Sequence, residues 1–105
     1  MVRRSEVWLE NLDPTMGSEI RESRPCVIIS PPEMHGHLRT VVVAPMTTGA
    51  RAAPFRISLT FGGKKGLILL DQIRTLDKTR LVRNLGAVSP TTLAATLRTL
   101  QEVFA

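Results

Sequence analysis

Apolar residues fall in short runs broken by proline and glycine as far as Val88, and their period then changes at Ser89. Before that break, Glu6–Leu12, Pro25–Ser30, Thr40–Met46, Phe55–Leu59, Leu67–Leu70 and Leu81–Val88 read as strands. They are short, rich in Val, Ile and Leu, and bounded by turn residues. Asp13-Pro14 with Gly17 opens a loop, Pro31-Pro32 ends the second run, and Gly62-Gly63 makes a turn. Pro45 inside the third run predicts an edge, a bulge or a strand end, because proline donates nothing to a ladder. Phe55, Ile57 and Leu59 alternate and are expected to face a core. After the break, Ser89 suits an N-cap and Pro90 the first helical position. Leu93, Leu97, Leu100 and Phe104 then make one apolar stripe at helical spacing. Five or six short strands with no helix between them favour a small antiparallel barrel or two packed sheets, one open face covered by the C-terminal helix.

The 105 residues make one domain, 1–105, with a modest core. A hydrophobic share of 43% and a mean hydropathy near zero fit a globular chain rather than a disordered one. No apolar run approaches the roughly 20 residues of a membrane span. The first residues, Met-Val-Arg-Arg-Ser-Glu, lack an apolar core, which predicts no secretory signal. The single cysteine, Cys26, forms no intramolecular disulfide and reads as a small buried hydrophobe. A cytoplasmic location is expected. Net charge is +5, and residues 53–105 hold the whole excess, with eight Lys/Arg against three Asp/Glu. That balance points to a polyanion or an acidic protein partner. Four aromatics and no Tyr argue against a reader that stacks every base.

Chemistry has few candidate places. His35-Gly36-His37 reads as a loop and lacks the further ligands a metal needs, so no metal and no cofactor is expected. Gly62-Gly63-Lys64-Lys65-Gly66 is either a hairpin turn with exposed lysines or a phosphate cradle. Three polar positions abut apolar strands. Arg24 precedes Pro25, Thr47 follows Met46, and Asp71, Gln72 and Arg74 close the run Leu67–Leu70. If these strands are neighbours, the polar ends converge. A guanidinium and a hydroxyl together suit a phosphate, and each residue alone suits a cap or an ion pair. Asp71 then pairs with Arg74 or with Arg24.

Taken in order, Glu6-Val-Trp8, Leu12-Asp-Pro-Thr-Met-Gly-Ser-Glu19, Arg24-Pro25 with Val27-Ile28-Ile29, Val42-Val-Ala-Pro-Met-Thr47 and Leu70-Asp-Gln-Ile-Arg-Thr-Leu-Asp-Lys-Thr-Arg-Leu81 resemble the MazF/PemK family of toxin–antitoxin endoribonucleases. The resemblance implies a small SH3-like β-barrel of the CcdB/MazF type with a C-terminal helix, assembled as a homodimer. It implies metal-independent, sequence-specific cleavage of single-stranded RNA. Attack by the 2′-hydroxyl would leave 2′,3′-cyclic phosphate and 5′-hydroxyl ends, so inhibiting translation and growth. An antitoxin with an acidic, disordered tail is the implied partner. The family's motif arginine falls on Arg24 and its threonine on Thr47, the implied catalytic pair. Ser18, Glu19, Asp71, Gln72 and Arg74 are implied to bind RNA or shape its groove.

Some relatives carry His where Ser18 stands, Gln where Ile20 stands, and an arginine where Leu69 precedes Asp71. The resemblance therefore leaves the general base unassigned. The alternative readings are a CcdB-like, non-enzymatic gyrase poison on the same barrel, or a small RNA-binding barrel without activity.

Overall fold

A computed structural model describes residues 2–11 and 23–105. Seven strands, one more than the sequence suggested, form β1 (Glu6–Asn11), β2 (Ser23–Ile28), β3 (Thr40–Thr47), β4 (Arg56–Phe61), β5 (Lys64–Leu69), β6 (Arg74–Asp77) and β7 (Leu81–Ala87). They build one curled sheet in the order β4-β5-β3-β2-β1-β7, with β6 also paired to β3. Every pairing is antiparallel. The additional strand, β6, is polar and exposed at Arg74, Thr75 and Asp77, so only Leu76 carried a core signal. A helical turn, α1 (Pro32–His35), follows β2, and the helix α2 (Pro90–Val103) ends the chain.

Strand β3 organises the sheet. One edge pairs with β2 through Val43, Ala44 and Pro45. The other pairs with β6 through Thr40–Val43 and then with β5 through Met46 and Thr47. Pro45 is therefore inside a central strand, where the sequence suggested an edge, a bulge or a strand end. Val42 turns its amide and carbonyl toward the β2 side. By alternation Pro45 turns its nitrogen to the opposite edge, in the gap where β3 has left β6 and not yet met β5. No ladder donor is lost there.

The two faces of the sheet bury different clusters. Val7, Val27, Ile29, Ala44, Met46, Ile68, Leu70 and Val88 form one, against which Leu93 and Leu100 of α2 pack. Cys26, Ile28, Val41, Val43 and Leu76 form the other, with Trp8 beside them. The run Leu67–Leu70 is wholly buried, as its composition suggested. Gly62 and Gly63 close the β4–β5 hairpin at φ 59° and 80°, a turn that suits glycine at both positions. Ser89 caps α2, its hydroxyl oxygen accepting from the Thr92 amide at 3.1 Å. Two apolar expectations fail. Phe55 precedes β4 and is 39% exposed, and Phe104 at the end of the helical stripe is 71% exposed. No helix among the described residues is long and apolar enough to cross a membrane.

The two histidines part company. His35 closes α1 and is buried, whereas His37 is exposed. His35 Nδ1 donates to the Val2 carbonyl at 3.1 Å, which leaves Nε2 to accept from the Ser30 hydroxyl at 2.7 Å. Ser30 Oγ in turn accepts from the Val42 amide at 3.0 Å. His35 is thus a fastener of α1 to β3 rather than a loop residue.

Candidate active site

Antiparallel pairing places the two implied catalytic residues together. Cys26 faces Pro45 across β2 and β3. Arg24 stands two residues before Cys26 and Thr47 two residues after Pro45, so both lie just beyond the same end of this ladder. Both are half-buried, and both line a cleft of about 390 Å³. Ser23, Thr48 and Lys64 add polar groups to it, and Met46, Phe61 and Leu85 give it an apolar floor. The Gly62–Gly66 segment is the hairpin expected of it, and its Lys64 brings a cation to the cleft. A cation, a guanidinium and a hydroxyl above an apolar floor match a phosphodiester with its attached base.

The position of Thr47 depends on Gly66. A Cβ on Gly66 would lie 2.9 Å from the Thr47 carbonyl oxygen, closer than any backbone tolerates. Gly66→Ala is expected to push Thr47 out of register and slow turnover roughly ten-fold, since small misplacements at a reacting centre are costly. Steady-state cleavage of an RNA oligonucleotide by the folded variant measures this.

Among the described residues, Asp71, Gln72 and Arg74 do not line the cleft. Asp71 and Gln72 lie in the 3-10 turn Leu70–Gln72. Asp71 pairs with neither Arg74 nor Arg24. It takes a two-pronged contact from Arg56, Nε to Oδ1 and Nη2 to Oδ2, both at 3.0 Å. Arg56 also lies 5.8 Å from the ring of Phe55. Arg74 donates to Oε1 of Glu10, a residue the sequence reading passed over. Ser18 and Glu19 lie outside the described residues. Of the passed-over residues, Arg56 carried no local signal. Glu10 carried a weak one, standing two places from Trp8 on the strand face that must pack.

The Arg56 guanidinium holds the Asp71 carboxyl below its ordinary value of 3.8. The resulting stability is fully present above the ordinary value of 3.8 and is lost as pH falls from there through the lower folded-state value. The pair lies near the surface, so the effect is small. Arg56→Gln is expected to remove part of the stability lost on acidification. Urea midpoints at neutral pH and at about pH 3 would differ less in the variant than in the parent.

Comparison with known proteins bears on what the cleft serves. Residues 3–104 match the family model described as PemK-like, MazF-like toxin of type II toxin-antitoxin system. The chain belongs to this family. Among its relatives, Endoribonuclease PemK of Escherichia coli is 37% identical over 108 residues, covering 97% of this chain and 81% of the relative. Endoribonuclease MazF of Staphylococcus epidermidis is 40% identical over 95 residues, covering 85% and 79%. An endoribonuclease in complex with its cognate antitoxin from Mycobacterial species superposes with a TM-score of 0.84 at 25% identity, covering 99% of this chain and 95% of the other. MazF from Deinococcus radiodurans gives 0.79 at 26% identity, covering 98% and 96%. The curled sheet with its C-terminal helix is thus the fold of the MazF toxins, as the sequence resemblance implied.

Proposed function

We propose that this PemK/MazF-family toxin is a sequence-specific endoribonuclease, with Arg24 and Thr47 as its catalytic residues. The observation that carries the reading is that two residues 23 positions apart in sequence line one cleft beside a cation. The relatives named endoribonucleases, and the neighbour solved with its antitoxin, support the same reading.

Single-stranded RNA lies in the cleft with a phosphate between Arg24 and Thr47. The ribose 2′-hydroxyl gives its proton to water as its oxygen attacks phosphorus, the bond to the 5′ oxygen breaks, and that oxygen takes a proton from water, so that 2′,3′-cyclic phosphate and 5′-hydroxyl ends result. The nucleophile is internal to the substrate, so the protein has only to orient it and to stabilise charge. A guanidinium stays cationic at any physiological pH. Arg24 therefore neutralises the charge that builds on the pentavalent phosphate and donates toward the departing 5′ oxygen. Thr47 donates a hydrogen bond to a non-bridging oxygen. Fixed donors of this kind each contribute about 3 kcal/mol to a transition state. The reading includes a homodimer acting in the cytoplasm, without metal, restrained by an antitoxin whose acidic tail covers the basic groove. Cleavage of messages would halt translation and growth.

The test is to incubate the purified, antitoxin-free protein with a long single-stranded RNA in excess EDTA and to map the ends. Discrete cuts ending in cyclic phosphate are expected. Intact RNA from folded protein would overturn the reading and favour a non-enzymatic poison of the CcdB type.

A further inference from the structure

The least explained group in the fold is the carboxylate of Glu10. It is a fully buried acid on β1, directly opposite Arg24 of β2 in the antiparallel register. Such partners carry their side chains on the same face of the sheet, with Cβ atoms about 5 Å apart. Cys26, two places along β2, continues that face, and burial together with the Glu10 charge pushes its thiol up to about 12. The charge on Glu10 is compensated from one side only. Oε1 accepts from Nη2 of Arg74, which reaches over from β6 and remains 42% exposed. Oε2 is buried with no hydrogen-bond partner among the described residues. A buried carboxylate is tolerated when its remaining lone pairs are satisfied. The cross-strand neighbour of this one is an arginine, whose forked guanidinium matches a carboxylate edge.

We propose that Glu10 is a positioning residue for Arg24: when RNA enters the cleft, one edge of the Arg24 guanidinium docks on Oε2 of Glu10 and the opposite edge meets the phosphate. One buried carboxylate then sets two arginines, Arg24 against the scissile phosphate and Arg74 at the surface outside the cleft. The guanidinium has five N–H donors in a planar fork, enough to serve an acid behind it and a phosphate in front. The inference rests on the assignment of Arg24 to the reaction. It adds that the arginine acts from a seat built on β1, outside the cleft itself.

Glu10→Gln tests it, because the amide keeps the size of the side chain and removes the charge. Turnover is expected to fall roughly ten-fold, with KM within about two-fold of the parent. The melting temperature is expected to hold or rise, since a buried charge has been removed. A purely structural Glu10 gives the reverse, a lower melting temperature with turnover of the folded fraction unchanged, and that result overturns the proposal. A second measurement needs no altered Glu10. In the parent protein bound to an oligonucleotide that carries the cut site with a 2′-deoxy sugar, side-chain nitrogen NMR should find rotation of the Arg24 guanidinium hindered. Free rotation there also overturns it. If Arg24→Ala cuts RNA as fast as the parent, the assignment of Arg24 fails first. If that variant is inactive and Glu10→Gln is fully active, only the role of Glu10 fails.

Discussion

Arg24→Ala is expected to cut RNA at least about 100-fold more slowly than the parent, with its melting temperature within about 3 °C. The kinetic part follows from the chemistry. Removing one fixed donor to a developing charge costs about 3 kcal/mol, or two powers of ten. Arg24 also loses its contribution as a permanent cation where the negative charge of the phosphate grows. The thermal part follows from its place near the start of β2. The side chain is half-buried, and its backbone pairing with Glu10 survives truncation. A loss near 0.5 kcal/mol corresponds to about 3 °C in a domain of this size. Thr47→Val, which removes one neutral hydrogen bond, is expected to cost less than Arg24→Ala. Single-turnover cleavage in EDTA separates the two. Equal rates for Arg24→Ala and the parent would remove Arg24 from the mechanism.

His35→Ala is expected to lower stability by about 3 kcal/mol and the melting temperature by roughly 15 °C, whereas His37→Ala leaves both unchanged. The imidazole is buried and satisfies Val2 and Ser30 at once. Its loss strands a buried hydroxyl and a carbonyl and opens a cavity, and these penalties add. His37 is exposed. Urea unfolding of both variants distinguishes the cases. The cleft residues are not in this network, so the folded fraction of His35→Ala is expected to retain RNA cleavage. An unchanged urea midpoint for His35→Ala would mean that the network carries no net stability.

Much of the fold was legible because its signals are local. A β-branched run, a double glycine, and a serine followed by proline each act within a few residues. Six of the seven strands, the β4–β5 hairpin and the capped helix followed from them. The strand β6 escaped because three of its four residues are polar and face solvent. Pro45 misled because its effect depends on which edge its nitrogen faces, and that is a property of strand order. Phe104 misled because the stripe runs past the end of the surface it packs on.

The sequence by itself determined six of the seven strands, the closing helix, the family, and two residues, Arg24 and Thr47, that line the cleft. Tertiary structure alone decided how the charges pair. Asp71 takes Arg56, and Arg74 crosses to Glu10, 64 residues away. The reason is one of range. Periodicity, caps and turns are set by neighbours in the chain, whereas an ion pair is set by which strands lie side by side and in what register. Only the antiparallel pairing of β1 with β2 places an acid behind the arginine of the cleft.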